Sequence, residues 1–429
     1  MRVFFETYGC KVNLYETSAM MKKFAASGFS LTKDLAEADV VVLNSCTVTG
    51  NADRKARSFA RKVRSVSPNA VFLLCGCFAQ AFPEKARELG ADILMGTTDR
   101  GSAPAAVLRF LESREPMDLV QSLDSAVFEA LEADELVEHT RAFLKIEDGC
   151  QKYCSYCAIP KARGPVRSMP LAEVRRQCEE LVRSGYREIV LCGINLSAYG
   201  NDLGCDLGDA VLAAGETEGL VRVRLSSLEC DLLTDEMLRK FASCEQFCPQ
   251  FHLSLQSGSD RTLRRMNRHY TSADYAAICE KIRSIFRDAT FTTDIIVGFP
   301  GETEQDFEDS VSFCRSVGFL RTHVFPYSKR PGTMAAALPE QVTRAEKERR
   351  SKEMIAAMKL RSEEVLTSFI GKKVRVILEQ PENGAFTGYS DRYLPCLVTG
   401  EGLSSHQVVE GTVERIENSA AVVCVPSGK

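Results

Sequence analysis

The sequence predicts an α/β protein with more than one domain, and three observations support this fold class. Strand-like and helix-like segments alternate over residues 1–115 and again over residues 141–366. Such alternation is typical of parallel sheets that are covered by helices. From residue 371 onward, short strands broken by glycine and proline predict a small antiparallel β-barrel. A chain of 429 residues is also too long for one ordinary domain.

The composition is that of a globular protein from a reducing compartment. Hydrophobic residues make up 45% of the chain and charged residues 26%. The first ten residues lack a signal-peptide pattern, and the longest uncharged apolar run, residues 69–82, is too short to span a bilayer. Seventeen cysteines in such a chain favour metal ligation over disulfides. We therefore expect a cytoplasmic protein without a membrane partner. The net charge of −4 predicts that any nucleic-acid binding depends on local basic patches.

Three cysteines in the first region follow predicted strands. The strands are residues 3–7, 40–44, 70–74 and 92–95, and the helices are residues 15–27, 51–67, 83–89 and 103–112. Cys10, Cys46 and Cys77 come after the first three strands. Because parallel strands end at one edge of a sheet, where ligands bind, these thiols can meet there. The alternative is three unrelated buried cysteines. Cys75 ends an apolar strand, and we interpret it as a core residue.

A second group of three cysteines lies within one loop. Residues 147–160 read EDGCQKYCSYCAIP and contain Cys150, Cys154 and Cys157. Thiolates bind iron–sulfur clusters, and close spacing lets one loop hold several irons. With three cysteines, a four-iron cluster keeps one iron open to another ligand. The alternatives are three buried thiols or a zinc site, although zinc motifs usually include a second Cys or His pair nearby.

The region around this loop predicts six βα units, fewer than the eight of a complete barrel. The predicted strands are residues 141–146, 188–191, 221–226, 251–256, 290–297 and 322–325. Residues 116–138 are acidic and are interpreted as a linker, and residues 344–366 as a long helix. Cys244 and Cys248 form a CEQFC segment that we interpret as structural.

The spacing of Cys150, Cys154 and Cys157 resembles the signature of the radical SAM enzymes. The resemblance implies a partial (β/α)6 barrel and a 4Fe-4S cluster whose open iron binds S-adenosyl-L-methionine. One electron from the cluster then cleaves this cofactor to a 5′-deoxyadenosyl radical. The resemblance also implies cofactor-binding residues: Tyr156, Glu229, Gln256, Arg268 and Asp294. Arg268 is expected to pair with the cofactor carboxylate. For the last four residues the alternative is a solvated loop position or a helix cap.

A narrower resemblance covers nearly the whole chain. The segments TYGCKVN (residues 7–13), NSCTVTGNADRK (44–55) and CGCFAQ (75–80) are similar to the amino-terminal domain of the methylthiotransferases. In that family three such cysteines hold a second 4Fe-4S cluster. The resemblance implies an amino-terminal methylthiotransferase domain at residues 1–130 and a radical SAM domain at 131–366. Residues 367–429 resemble a TRAM domain, an RNA-binding module.

The forms GCKVN and CTVTGNADRK resemble most the branch that acts on N6-threonylcarbamoyladenosine in tRNA. This resemblance implies methylthiolation of carbon 2 of that base at position 37. The implied partners are a tRNA anticodon loop, an electron donor protein and a sulfur source. Six basic residues on the helix at 51–67 form a candidate phosphate-binding surface, with an ordinary solvated face as the alternative. They are Arg54, Lys55, Arg57, Arg61, Lys62 and Arg64.

Three other functions remain open at this point. The branch that modifies a ribosomal-protein aspartate is favoured by Lys161, which stands where the tRNA branch is expected to carry an aromatic residue. The near-neutral last domain also favours it, with six Lys and Arg against seven Asp and Glu from residue 366. The isopentenyladenosine branch more often shows GCQMN at the first motif. A non-catalytic iron–sulfur RNA-binding protein is the alternative from another class, but it would not need polar residues at strand ends.

Four further polar residues near the expected site are assigned simpler roles. Arg163 and Arg167 are interpreted as partners of acidic side chains. His252 and His323 lie on apolar strands and are interpreted as core or substrate-side groups rather than metal ligands.

Overall fold

The computed structural model describes residues 1–133 and 140–426 and confirms the α/β fold class. Residues 134–138 of the expected linker and the last three residues of the expected carboxyl-terminal domain lie outside the described residues. Within the described chain, none of the helices combines the length and apolar content that crossing a bilayer requires.

The amino-terminal part is built on a six-stranded parallel sheet with the order β2-β1-β3-β4-β5-β6. Its elements are β1 (Arg2–Thr7), α1 (Lys11–Ala26), β2 (Ser30–Leu31), β3 (Val40–Ser45), α2 (Gly50–Val66), β4 (Val71–Gly76), α3 (Cys77–Ala81), α4 (Pro83–Arg87), β5 (Ile93–Met95), α5 (Ala103–Ser113) and β6 (Met117–Leu119). Strands β3 and β4 are buried along their whole length, because apolar clusters cover both faces of the sheet.

Two sequence expectations fail in this part. The segment expected to be a linker contains β6, which pairs in parallel with β5 through Ile93 and Met117. A strand of only three residues leaves no recognisable apolar pattern in an acidic segment, so the sequence did not reveal β6. Helix α1 begins at Lys11, directly after Cys10, and not near residue 15.

The central part is a partial barrel of parallel strands. Its elements are β7 (Arg141–Lys145), β8 (Glu147–Asp148), α6 (Ile159–Arg163), β9 (Arg167–Ser168), α7 (Leu171–Arg183), β10 (Glu188–Cys192), α8 (Leu207–Gly215), β11 (Arg222–Leu225), β12 (Ser227–Leu228), α9 (Asp235–Ser243), β13 (Gln250–Leu253), α10 (Asp260–Arg265), α11 (Ser272–Ile285), β14 (Thr290–Val297), α12 (Glu304–Val317), β15 (Arg321–Pro326), α13 (Met334–Ala337) and α14 (Arg344–Thr367). The sheets run β11-β10-β7 and β12-β13-β14-β15. Only Ser226 separates β11 from β12, so the six strand positions follow one another, as the alternation predicts.

The carboxyl-terminal part is a closed five-stranded barrel with the order β16-β17-β18-β20-β19. Its strands are β16 (Lys373–Glu382), β17 (Ala385–Ser390), β18 (Pro395–Thr399), β19 (Val408–Glu417) and β20 (Ala420–Cys424). Four of the strand pairs are antiparallel, but β18 and β20 pair in parallel, so the antiparallel expectation is wrong for that pair. Strand pairing is non-local, and the alternation within one strand does not reveal its direction relative to a neighbour.

The carboxyl-terminal barrel packs on the ends of the central strands where those strands begin. Arg222 of β11 donates to the carbonyl of Tyr389 over 3.0 Å, and Arg224 donates to the carbonyl of Ser390 over 3.1 Å. Both guanidinium groups also bond Glu188 of β10. The guanidinium of Arg141 lies 4.8 Å from the ring centre of Tyr389. These buried charges fix the small barrel against the amino-terminal end of the central one.

Candidate active site

The three cysteines with radical SAM spacing lie on the loop between β8 and α6. The loop turns sharply at Gly149, whose φ is 96° and whose missing Cβ would lie 1.9 Å from the carbonyl oxygen of Pro165. Only glycine fits such a position. The amide of Cys150 then donates to the Gly164 carbonyl over 2.9 Å, and the amide of Cys157 donates to the Cys154 carbonyl over 3.0 Å.

The thiols of this loop lie close enough together to interact electrostatically. Burial is the main cause that raises the pKa of Cys157 to about 12, and the neighbouring Cys154 and Cys150 add to it. All three cysteines keep part of their surface accessible. Three convergent soft donors on one open loop fit an iron–sulfur cluster that keeps one iron free.

Three of the expected cofactor-binding residues lie on this loop or next to it: Tyr156 is part of the loop, and Arg268 and Glu229 lie beside it. Arg268 donates through Nη1 to the Cys154 sulfur over 3.3 Å and to Oε1 of Glu229 over 3.2 Å. Tyr156 packs edge-on against Phe299, with 6.4 Å between the ring centres. Arg268 is therefore already paired with a carboxylate of the chain. A cofactor carboxylate would share its guanidinium with Glu229.

The other two expected cofactor-binding residues, Gln256 and Asp294, are neighbours at the end of the central sheet. The amide of Gln256 donates to the carbonyl of Asp294 over 2.9 Å, and the φ of Gln256 is 69°. The carboxylate of Asp294 lies 3.3 Å from Nε2 of His252, which places it in the barrel interior. Among the described residues, no hydrogen bond links either residue to the cysteine loop. The five expected cofactor residues thus form two separate groups.

The three amino-terminal cysteines lie together where their strands end. Cys46 directly follows β3, and Cys77 follows β4 through Gly76, which has a φ of 96°. Burial is the main cause that raises the pKa of Cys46 to about 12, and the nearby thiols of Cys77 and Cys10 contribute to the increase. Cys46 and Cys77 are buried, whereas Cys10 is exposed. This donor set also fits a cluster with one open iron.

Cysteines that the sequence assigns to the core lie in the core. Cys75 packs in the apolar cluster around Val3 and Met20. Cys77 packs in the cluster on the other face of the sheet, because β4 ends at Gly76, whose φ is 96°, and Cys77 begins α3. Cys244 and Cys248 are both buried.

A buried arginine that the sequence does not assign to the site joins the two cysteine groups. Arg163 is fully buried, and its Nε donates to the Cys77 sulfur over 3.2 Å. Its Nη1 donates to Glu16 over 2.5 Å and to Asp148 over 3.1 Å. The expectation that Arg163 pairs with acids is confirmed, and Arg167 also lies 3.4 Å from Asp148. The contact with Cys77 has no sequence signal, because the two residues belong to different folding units.

A cavity of about 770 Å³ runs through the barrel interior and is lined by all three parts of the chain. Its volume lies in the usual range for ligand pockets. The amino-terminal part contributes Cys10 and Lys11, and the carboxyl-terminal barrel contributes Tyr389 and Tyr393. The central strands contribute, among others, Arg224, Gln250, His252, Thr292, Asp294, Arg321, His323 and Phe325. The two histidines therefore face a ligand-sized space and do not fill the apolar core.

The basic surface expected on α2 is present, with one correction. Arg54, Arg57 and Arg61 are exposed along the helix. Arg64 instead bonds Asp92 over 2.9 Å and the carbonyl of Ala70 over 3.2 Å, so it is a structural residue. Because the last turn of α2 lies against Ala70 and Asp92, Arg64 is not part of the expected phosphate-binding surface.

Two family models match this chain. The Radical SAM superfamily model matches residues 144–314, and the Uncharacterized protein family UPF0004 model matches residues 2–96. The matched ranges contain the second and the first cysteine group, respectively.

Several curated proteins resemble the chain over most of its length. The threonylcarbamoyladenosine tRNA methylthiotransferase of Bacillus subtilis is 37% identical over 93% of this chain and 90% of its own length. The protein of the same name from Thermotoga maritima is 34% identical over 98% of this chain and 96% of its own length. The tRNA-2-methylthio-N(6)-dimethylallyladenosine synthase of Syntrophomonas wolfei is 33% identical over 87% of this chain and 86% of its own length.

A solved structure shares the overall fold. The radical S-adenosylmethionine methyltransferase TsrM from Kitasatospora setae superposes with a TM-score of 0.59, covering 78% of this chain and 77% of that chain. The two sequences are 14% identical, so this likeness concerns the fold alone.

Proposed function

Because this chain belongs to the radical SAM methylthiotransferases, we propose that it adds a methylthio group to carbon 2 of N6-threonylcarbamoyladenosine at position 37 of tRNA. The observation that carries the choice of base is the 37% identity to the B. subtilis enzyme with that printed activity, over 93% of the chain. The anticodon loop offers a single-stranded base that an RNA enzyme can bind splayed out of its stack.

The target hydrogen lies on an aromatic carbon that no side-chain acid or base can usefully deprotonate. A 4Fe-4S cluster with S-adenosyl-L-methionine, when bound, supplies the radical chemistry that this carbon requires. Cys150, Cys154 and Cys157 hold that cluster in our proposal. Tyr156 and the Arg268–Glu229 pair position the cofactor next to Cys154, since Tyr156 is part of the loop and the pair lies beside it.

We further propose that Cys10, Cys46 and Cys77 hold a second 4Fe-4S cluster that handles sulfur. Its support is the convergence of the three thiols at the sheet edge and the position of Cys10 in the wall of the barrel cavity. An electron donor protein and a sulfur source then act as further partners, and the tRNA substrate places the reaction in the cytoplasm. The proposed domain limits are 1–130, 131–366 and 367–429.

The second candidate is methylthiolation of isopentenyladenosine, supported by the 33% identity to the S. wolfei enzyme. A ribosomal-protein substrate has less support. Its main sequence argument was Lys161, which is exposed and lies 5.1 Å from the ring centre of Phe82. That contact gives Lys161 a structural role that is independent of the substrate. A non-catalytic role does not explain the polar residues beside the cysteine loop.

The test uses anaerobically reconstituted enzyme with S-adenosyl-L-methionine, a reductant and a sulfide source. Two anticodon stem-loops serve as substrates, one with threonylcarbamoyladenosine and one with isopentenyladenosine, and nucleosides are analysed by mass spectrometry. We expect a methylthio product only from the first RNA, and none with the Cys150→Ala, Cys154→Ala, Cys157→Ala triple variant. A methylthio product only from the second RNA would assign the enzyme to the isopentenyladenosine branch instead.

A further inference from the structure

One part of the wall of the barrel cavity is formed by a stripe of side chains on three adjacent strands. Thr292 of β14 stands opposite His252 of β13 and Arg321 of β15, and Asp294 stands opposite His323. Side chains on a strand alternate between the two faces of a sheet. The stripe therefore continues along β15 from Arg321 through His323 to Phe325, and all three line the cavity.

Two positive charges in this cavity are not neutralised by the protein. Among the lining cations, Arg141 pairs with Glu379 and Arg224 pairs with Glu188. Across residues 1–133 and 140–426, by contrast, Arg321 and Lys11 form no ion pair. Within the same residues, the carboxylate of Asp294 lies 3.3 Å from Nε2 of His252 and forms no ion pair with Arg321 or Lys11.

Both free cations lie near the same point of the wall. Burial lowers the pKa of His323, and the positive charges of Arg321 and Lys11 contribute to the lowering, against the opposing carboxylate of Asp294. One ligand atom from each of His252, Asp294 and His323 lies within 4.8 Å of the others, which is close enough for a metal. The adjacent guanidinium and ammonium groups repel a metal cation, however, and attract an anion.

The same region offers an aromatic surface. Phe325 is 44% exposed although it is a large apolar residue, and it faces the cavity on the same side of β15 as Arg321. Exposed aromatic rings in RNA enzymes commonly stack on unpaired bases. The wall thus matches a flat base that carries a negative group.

We propose that Arg321, assisted by Lys11, binds the carboxylate of the threonylcarbamoyl group and thereby selects this base over adenosines with neutral N6 substituents. The inference rests on the proposed function and adds a specificity-determining residue to it. A guanidinium matches a carboxylate with two parallel hydrogen bonds. An isopentenyl group cannot form them and would leave the charge unpaired.

The test compares two anticodon stem-loops, one with threonylcarbamoyladenosine and one with its neutral methyl ester. The wild-type enzyme should bind the acid more tightly than the ester. Arg321→Gln should weaken binding of the acid by roughly 10- to 100-fold, because a charge-assisted hydrogen bond is lost, and should leave binding of the ester nearly unchanged. Arg321→Lys should fall between the two. Arg315→Gln, on the outer helix α12 and exposed, is the matched control for losing one positive charge and should bind as the wild type does.

Each other outcome has a distinct meaning. If Arg321→Gln weakened binding of the acid and of the ester equally, Arg321 would contact a phosphate. If binding of both RNAs were unchanged, Arg321 would contact nothing in the RNA. Either result overturns the inference and leaves the proposed function intact. Failure of the wild-type enzyme to methylthiolate the threonylcarbamoyl RNA would overturn the proposed function itself, and the inference with it. Iron content and circular dichroism of Arg321→Gln verify that the variant is folded.

Discussion

Nε of Arg163 donates a hydrogen bond to Sγ of Cys77 over 3.2 Å, between residues that lie 86 positions apart. The same guanidinium bonds Asp148, two residues before Cys150. One buried side chain therefore connects the amino-terminal cysteine group to the loop of the radical SAM cysteines.

Arg163→Met should both destabilise the protein and change the amino-terminal cluster. It leaves Glu16 and Asp148 buried without this partner, which costs about 3–5 kcal/mol of unfolding free energy. It also removes a hydrogen bond to a cluster sulfur, which should lower the reduction potential of that cluster. Denaturant unfolding and a redox titration followed by electron paramagnetic resonance measure the two effects. Arg163→Lys keeps the charge and should restore part of the stability. An unchanged potential in Arg163→Met would show that the bond to Cys77 does not reach the cluster.

Replacing Cys150, Cys154 and Cys157 by Ala should abolish reductive cleavage of S-adenosyl-L-methionine. Reconstituted wild-type protein should hold about eight irons, four per cluster, and the variant about four. Iron and sulfide assays with chromatographic detection of 5′-deoxyadenosine provide the measurement. Formation of 5′-deoxyadenosine by the triple variant would disprove the assignment of this loop.

Replacing Cys10, Cys46 and Cys77 by Ala should block methylthio transfer but preserve at least part of the cofactor cleavage, because the radical-generating loop lies in the central barrel. Cys75→Ala is the matched control, since Cys75 lies two residues from Cys77 but packs in the apolar cluster on the opposite face. The control should keep its iron and its product formation. Full product formation by the triple variant would mean that these cysteines are ordinary buried thiols.

Replacing Arg54, Arg57 and Arg61 by Ala should weaken tRNA binding and reduce its salt dependence. Each lost phosphate contact lowers the slope of log affinity against log salt by about 0.7–0.9. Arg64 is left in place because it bonds Asp92. Arg109→Ala, an exposed cation on α5, serves as the control. Binding measured at several salt concentrations should show a lower slope only in the triple variant, and an equal slope in both would argue for a merely solvated helix face.

Glu188→Gln should destabilise the contact between the central and carboxyl-terminal barrels in a pH-dependent way. Burial opposes ionisation of Glu188, but Arg224, Arg141 and Arg222 hold its pKa down at about 2. Because this pKa is lowered on folding, the stabilisation is present above the ordinary pKa of about 4.3 and is lost as the pH falls from there toward 2. The unfolding midpoints of wild type and variant should therefore differ most near pH 7 and should converge as the pH falls from ~4 toward ~2. Glu348→Gln, in an exposed helical pair, should give no such trend.

The sequence by itself determined what depends on local spacing and periodicity. The three cysteines of one loop are adjacent in the chain, so their convergence follows from the covalent structure. The convergence of Cys10, Cys46 and Cys77 follows almost as directly, because parallel strands end at the same edge. Apolar runs and alternation also placed most helices and strands of the first two parts, but not the short β6.

Tertiary structure alone decided which side chains meet across elements. The pairing of Arg268 with Glu229, the ion pair of Arg64 with Asp92 and the contact of Arg163 with Cys77 each join segments that are distant in sequence. The cavity wall likewise combines residues of three folded parts, and the unpaired charge of Arg321 is visible only when every nearby carboxylate has been located. Periodicity describes one segment at a time, whereas the energy of a buried charge depends on all the groups that surround it.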